Sequence, residues 1–250
     1  MIDLHSHALP EFDDGSESIE MSLEMLSKSY EQGVRTVVLT PHFHAYQEQE
    51  YRQALEKRSE CYQRLLAAVK KYQKPLPKLL LGCELALTGE ILAPELLREL
   101  CIEGTNYMLV EMPYTPWTQQ HFNSLDRLSL KYRIILAHIE RFWDYQKHFS
   151  KLLEYDPIFQ VNATSFNGAA PFAVIRYLMQ NGMVQVIGTD MHNTDSRPPN
   201  LSAGFASLER YFGAACAEDL KRNAEKVLQN QSVELKSFRM KPLVRFFHSK

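Results

Sequence analysis

Two histidines stand two residues apart near the start of the chain, His5 and His7, and Asp190 and His192 repeat that spacing near the far end. Residues two apart on a strand point to the same face, so His5 and His7 can reach one ion together if a strand extends through both. His42, Glu84, Glu111 and His138 each follow a short apolar run. Imidazole and carboxylate are the side chains that hold divalent first-row metals, so the chemistry in prospect is metal-assisted. Taken singly, none of these residues is informative. A lone histidine at a strand end is more often hydrogen-bonded structure than a ligand, and a lone acidic residue there is usually a helix cap or a first-turn charge. Collectively they say more, because so many carboxylates converging without cations would repel one another.

The elements that must position them are legible as alternation. Short apolar runs at 2–4, 36–39, 79–83, 107–110, 134–137, 158–161 and 183–187 read as strands. Stretches with helical spacing or composition lie between them at 18–32, 49–72, 117–130, 142–153 and 171–180. Strands alternating with helices imply parallel βαβ units in an α/β architecture. Seven expected strands and no linker-like break favour one barrel domain over 1–250, a doubly wound open sheet being the competing topology. The chain has 9 histidines and 30 acidic residues among 250. Yet six of the seven expected strands carry one within a few residues of the C-terminal end. That is where parallel α/β folds gather ligands and catalytic groups. Asp190 and His192 fall just past a strand, where a turn can aim them at different ions. His44, His121, His148 and His248 fall outside the pattern and read as ordinary surface or packing residues.

Composition removes several classes. With 45% hydrophobic and 23% charged residues the chain is neither disordered nor fibrous. A formal net charge of −2 gives no broad basic field for nucleic acid or acidic membranes. No uncharged apolar run approaches the ~18–20 residues of a bilayer span, and no signal-peptide pattern opens the sequence. The four cysteines, Cys61, Cys83, Cys101 and Cys216, form no CxxC pair. Free thiols in a cytoplasmic protein are the expectation. Cys216 and Arg222 satisfy the C-x5-R spacing of cysteine-dependent phosphatases, but Glu218 and Asp219 would repel phosphate and no glycine lies between. That reading is rejected. After Glu234 the charged residues are all basic, which marks a tail over about 235–250 as a solvated segment or an oligomer contact.

Read in order, Met1-Ile2-Asp3-Leu4-His5-Ser6-His7, Asp13-Asp14-Gly15, Thr40-Pro41-His42, His138-Ile139-Glu140-Arg141 and the run from Asp190 through Met191, His192, Asn193, Thr194, Asp195, Ser196 and Arg197 to Pro198-Pro199 resemble the PHP (polymerase and histidinol phosphatase) superfamily. More narrowly, they resemble its bacterial capsular and exopolysaccharide protein-tyrosine phosphatases. The resemblance runs from residue 1 to about 229 and leaves the basic tail outside. It implies a distorted seven-stranded TIM-like barrel with three divalent ions, manganese first, with iron or zinc as alternatives. One ion would be held by His5, His7, Glu84 and Asp190. A second would share Glu84 and add Glu111 and His138, and a third would take Asp14, His42 and His192. Arg141 and Arg197 correspond to arginines that grip the phosphate, although Arg197 has an alternative role anchoring its loop through Asp195. Phe142 stands where relatives often show tyrosine, and His42-Phe43-His44 spaces its second histidine differently, so the substrate mouth is expected to differ.

The charge balance of that set is self-consistent. Four carboxylates against three divalent ions leave a surplus of two positive charges, which accepts a hydroxide and part of a phosphate dianion. Mixed imidazole and carboxylate ligation disfavours calcium and thiolate-type zinc sites. The expected activity is metal-dependent hydrolysis of phosphotyrosine by a hydroxide bridging two ions, acting on a bacterial tyrosine kinase with a tyrosine-rich tail that controls polysaccharide synthesis. Tyr114, Pro116 and Trp117 could line the entrance, with core packing an equal prospect for Trp117. Histidinol phosphate or another small phosphomonoester is the alternative substrate. A nuclease finds no evident charge track, and a non-enzymatic metal-binding scaffold is the alternative from another class, argued against by the retained ligand-type residues and both arginines although these would also fit a binding-only role.

Overall fold

The computed structural model describes residues 1–240. In chain order its strands and α-helices are β1 (Ile2–Asp3), α1 (Ile19–Glu31), β2 (Thr36–Leu39), β3 (His42–Phe43), α2 (Glu48–Val69), β4 (Lys78–Leu81), β5 (Glu84–Ala86), β6 (Tyr107–Glu111), α3 (Gln119–Ser129), β7 (Arg133–Leu136), α4 (Phe149–Leu152), β8 (Ile158–Asn162), α5 (Phe172–Gln180), β9 (Val186–Gly188), α6 (Leu201–Phe212) and α7 (Ala214–Leu228). Local chemistry explains several boundaries. The Ser18 hydroxyl accepts the Met21 N–H at 3.1 Å to cap the start of α1, and Gly33, just past its other end, has a φ of +87° that favours glycine.

Every strand pair is parallel. One sheet runs β1-β2-β4 and the other β3-β5-β6-β7-β8-β9, together making a curled α/β array. A bridge between Ser6 and Met191 brings the chain after β1 alongside the chain after β9, reinforced by His7 N–H donating to the Met191 carbonyl at 2.9 Å. Nine strands stand where seven are expected, because two short strands outside the expected ranges, β3 and β5, follow breaks after β2 and β4. The chain leaves the ladder at Thr40-Pro41, between β2 and β3, where proline offers no N–H, and at Gly82-Cys83, between β4 and β5. The expected strand 79–83 therefore stops at Leu81, and Glu84 opens β5 instead of following one unbroken strand. The expected helix 142–153 is also corrected. After His138, whose φ is +32°, the chain forms a 3-10 helix over Ile139–His148, kinked at Phe142, before α4 begins.

The period of two along the strands sorts the core into two bodies. Met108 and Val110, like Ile134 and Leu136, face the helices in the larger apolar cluster. Val38, Tyr107, Leu109, Ile135, Ile158 and Val186 form a smaller cluster with Ala224 and Val227 of α7. Two residues further on, this second set gives way to polar side chains. Val38 leads by steps of two to Thr40 and His42, Leu109 to Glu111, Ile158 to Gln160 and Asn162, and Val186 to Gly188 and Asp190. One continuous face is thus apolar at the N-terminal ends of the strands and ligand-bearing at their C-terminal ends. The tail begins against the body: Phe238 N–H donates to the Met179 carbonyl at 2.9 Å and Lys236 pairs with Asp219. Of its other basic residues, Arg239 is among the described residues, whereas Lys241, Arg245 and Lys250 lie outside them, as does His248.

Candidate metal centre

Glu84 sits at the middle of the convergence, completely buried. Its Oε2 lies 3.2 Å from His5 Nε2, 3.2 Å from His7 Nε2 and 3.0 Å from His42 Nδ1, and its Oε1 lies 2.9 Å from His138 Nε2. Glu111 Oε1 approaches His138 Nε2 at 3.4 Å. Asp190 Oδ1 stands 3.5 Å from His5 Nε2 and 3.4 Å from His7 Nε2. Asp14 Oδ1 lies 3.5 Å from His42 Nε2 and 3.6 Å from His192 Nε2. All nine sequence-predicted ligands are therefore brought together. Four sets of donor atoms fall within 4.8 Å of one another: His7, Asp14, His42 and His192; His5, His7 and Asp190; His5, Glu84 and His138; and His42, Glu84 and Glu111. His7 thus faces two of the sets. Asp190 and His192 serve different ones, as the turn after β9 allows, with Asp190 held at a φ of +54°.

Whether this set suits cations is decided by protons. His5 Nδ1 is 3.0 Å from Gln160 Oε1, and that atom also accepts the His138 backbone N–H at 2.7 Å, which fixes it as an oxygen. His7 Nδ1 is 2.7 Å from Asp13 Oδ2. Each Nδ1 therefore carries the hydrogen in the neutral ring, leaving the two Nε2 lone pairs facing each other at 3.1 Å. His192 behaves alike. Its Nδ1 faces the Asp190 carbonyl at 3.0 Å, burial and the neighbouring His7 lower it to about 4, and its buried Nε2 has no hydrogen-bond partner. Glu84 Oε2, with three imidazole nitrogens around it, makes no hydrogen bond of acceptable geometry either. Adjacent donors at about 2.1 Å from an octahedral ion lie about 3.0 Å apart; the donors around Glu84 stand 2.9–3.2 Å apart and those to Glu111, Asp190 and Asp14 3.4–3.6 Å. The arrangement fits divalent cations and leaves several donor atoms unsatisfied without them. Burial pushes the Glu84 and Asp190 carboxyls up, but the imidazoles around both, with Arg141 beside Asp190, outweigh it and hold them well below the usual carboxylate range.

Both predicted arginines are at the centre. Arg141 Nη2 and Arg197 Nη2 donate to the same oxygen, Asp190 Oδ2, at 2.5 and 2.6 Å. Arg197 is anchored there and not to Asp195. Together they wall a cleft of about 250 Å³ completed by Asn162, Thr164, Ser196 and Asn200. The centre opens to solvent on the side of Asp14 and His42, whose side chains are 66% and 31% exposed. Trp117 is packed inside against Phe142 and Tyr145, whereas Tyr114 is exposed at the rim. Phe142 is fully buried behind Tyr114 and does not itself line the mouth. His44 stands exposed beside Tyr46, His121 binds the Thr118 N–H at the start of α3, and His148 packs on Trp117.

Sequence reasoning overlooks the supports. Asp13 holds both His7 Nδ1 and the His42 backbone N–H. Gln160 passes a hydrogen bond to Asn162, and Asn162 donates to Asp190 Oδ2 at 2.8 Å. Strand β8 is the strand whose expected end lacks His, Asp and Glu, and two buried amides alternating on an apolar strand were the available signal. The Cys216 thiol is buried in α7 and pushed up to about 12 by burial, in keeping with rejection of the cysteine-phosphatase reading. All four cysteines are free and buried.

A family model described as capsular polysaccharide synthesis, CpsB/CapC, matches residues 1–229. Among curated proteins, the tyrosine-protein phosphatase CpsB of Streptococcus pneumoniae is 29% identical over 247 residues, covering 93% of this chain and all of that protein. The tyrosine-protein phosphatase YwqE of Bacillus subtilis is 29% identical over 242 residues, covering 93% of each. Among solved structures, one from work on YwqE and CpsB, described there as unique metal-dependent tyrosine phosphatases, superposes with a TM-score of 0.79 at 26% identity. It covers 97% of this chain and the whole of that one. The phosphotriesterase homology protein of Escherichia coli shares the fold at a TM-score of 0.54 and 11% identity, over 91% of this chain and 98% of its own.

Proposed function

The chain belongs to the CpsB/CapC family of capsular polysaccharide synthesis proteins, and on that premise we propose that it is a metal-dependent protein-tyrosine phosphatase. The observation that carries the reading is the convergence of nine imidazole and carboxylate side chains, Glu84 central among them, beside two arginines that share one cleft. Three divalent ions, manganese for preference, would be held by His5, His7, Glu84 and Asp190; by Glu84, Glu111 and His138; and by Asp14, His42 and His192. When bound, they supply Lewis acidity that activates water near neutral pH and neutralises phosphate charge. Arg141 and Arg197 turn from Asp190 Oδ2 toward the non-bridging phosphate oxygens and stabilise charge as it builds. Asp13 and Gln160 take the Nδ1 hydrogens of His7 and His5, so that in the neutral rings the Nε2 lone pairs would face the ions. Water adds to phosphorus, the bond from phosphorus to the phenolic oxygen breaks, and phosphate and tyrosine leave. A phenol with a pKa of about 10 departs with less acid assistance than an alkyl alcohol needs.

The partner in this reading is a bacterial tyrosine kinase governing polysaccharide synthesis, met in the cytoplasm. Four free buried thiols support that compartment, and among the described residues no helix is long and apolar enough to cross a membrane. The fold is read as one barrel domain of seven strand positions, two of them interrupted, closing through the Ser6–Met191 bridge. Phosphate release from a phosphotyrosyl peptide and from histidinol phosphate, side by side with and without added Mn2+, tests the assignment. The peptide is preferred, and only with metal. Preference for histidinol phosphate would keep the centre and replace the substrate.

A further inference from the structure

Beyond the ligands and arginines, one side chain at the mouth is shaped for a task that its packing does not explain. Tyr114 follows Glu111 by three residues and is 57% exposed, the most exposed tyrosine, phenylalanine or tryptophan among the described residues. Its ring is backed on one side by the fully buried Phe142, with centroids 5.0 Å apart. Its hydroxyl oxygen accepts from Arg141 Nη1 at 3.5 Å, so the ring stands beside one of the two guanidinium groups of the cleft. The backbone beneath it is fixed on both sides. Trp117 Nε1 donates to the Pro113 carbonyl and the Tyr145 hydroxyl donates to the Tyr114 carbonyl, each at 3.0 Å, while Trp117 and Tyr145 stack at 5.1 Å and 11°. A ring held this firmly loses little conformational freedom when it binds something, and an exposed aromatic surface gains by being covered.

We propose that Tyr114 is a specificity-determining residue whose open ring face packs against the aryl ring of the substrate while Arg141 and Arg197 hold the phosphoryl group, so that aryl phosphate monoesters are preferred over alkyl ones. The inference rests on the phosphatase reading above and deepens it by naming what selects the leaving group. Aromatic pairs favour offset or edge-on arrangements with centroids about 4.5–7 Å apart, a geometry that a phosphotyrosine ring beside Tyr114 can adopt with its phosphate turned to the arginines. Burial of one ring face against another corresponds to roughly a ten-fold effect on binding.

The test compares phenylphosphonate and methylphosphonate binding to the manganese-loaded protein by calorimetry, alongside kinetics on a phosphotyrosyl peptide. Tyr114→Ala weakens phenylphosphonate about ten-fold and methylphosphonate by less than about two-fold, and raises KM for the peptide more than it lowers kcat. Tyr114→Phe retains the preference for the phenyl compound, because the ring and not the hydroxyl carries it. Equal losses for the two phosphonates in Tyr114→Ala would overturn the proposal, since Tyr114 would then act only through Arg141. No loss for either would overturn it as well. The binding comparison needs no turnover, so a wild-type protein that ignored the peptide would count against the phosphatase reading while leaving the ring-selection result to be read separately.

Discussion

His5 and His7 show how much of a candidate metal site is set outside the residues proposed to hold the ions. Their lone pairs face each other only because Gln160 and Asp13 take the opposite ring hydrogens. Asp13→Asn keeps the shape of that support and removes its charge, and it should lower metal affinity about 10–100-fold, measured by competition with a chromophoric chelator; unchanged affinity would remove Asp13 from the account. Arg197→Ala should behave differently. The metal content stays at the wild-type value, while kcat/KM on a phosphotyrosyl peptide falls on the order of 100-fold. Loss of metal in that variant would mean that Arg197 serves chiefly to hold Asp190 in place. Eight of the nine candidate ligands were legible as residue types at strand ends, whereas Asp14, Arg141 and Arg197 stood out only through the family resemblance. Their supports were not, because a buried Gln160 or Asn162 looks in sequence like any polar interruption of a strand.

At the scale of elements, the site depends on places where regular structure is broken. Glu84 follows the break at Gly82-Cys83, and the buried Arg58 of α2 holds that break, donating from Nη1 to Cys83 Sγ at 2.7 Å and to the Glu99 carbonyl at 2.9 Å. Loss of this guanidinium should cost about 1–3 kcal/mol of stability, with Arg58→Met in chemical denaturation as the check; an unchanged midpoint would show that the pin is dispensable. Gly15 shows the same dependence at closer range. A Cβ there would collide with the His7 carbonyl oxygen and lie 2.5 Å from the His7 Cβ. Gly15→Ala should therefore both destabilise the fold, by about 1–3 kcal/mol, and weaken metal binding; a protein with normal metal content would contradict the second effect. The interruptions were hidden from a reading by apolar runs, which sees 79–83 as one strand. The helix α6 escapes the expected elements for a related reason. Gly204 near its start weakens the helical signal, yet a side chain there would come within 2.7 Å of the Ala163 Cβ, so the glycine permits close packing.

Across the whole molecule, the alternation of strands and helices sufficed to predict a parallel α/β fold with chemistry at one end of the strands. The inner face carries this through, with Leu109 in the apolar core and Glu111 in the centre on the same strand. What alternation could not supply is where the array curls and how β1 meets the chain after β9, since the contacts there join residues as far apart in sequence as Ser6 and Met191. The centre ties them together: His5 and His7 come from the first strand region, Glu84 from the middle and Asp190 from the last. Bound ions should therefore stabilise the molecule as a whole. At a hundred-fold excess over Kd a single bound ion contributes about 2.7 kcal/mol, which for a chain of this size corresponds to a fall in Tm of roughly 5–10 °C on chelation. A thermal scan with and without chelator reads this, and coincident curves would argue that the ligands hold no metal.

The most direct measurement pairs metal content with phosphotyrosyl-peptide hydrolysis in the same preparations of wild-type protein and Glu84→Ala. Glu84 touches His5, His7, His42 and His138, so its loss should remove more than one ion per chain and abolish peptide hydrolysis, while the wild type binds metal and turns over. A Glu84→Ala protein that kept both its metal and its activity would contradict a centre organised around Glu84.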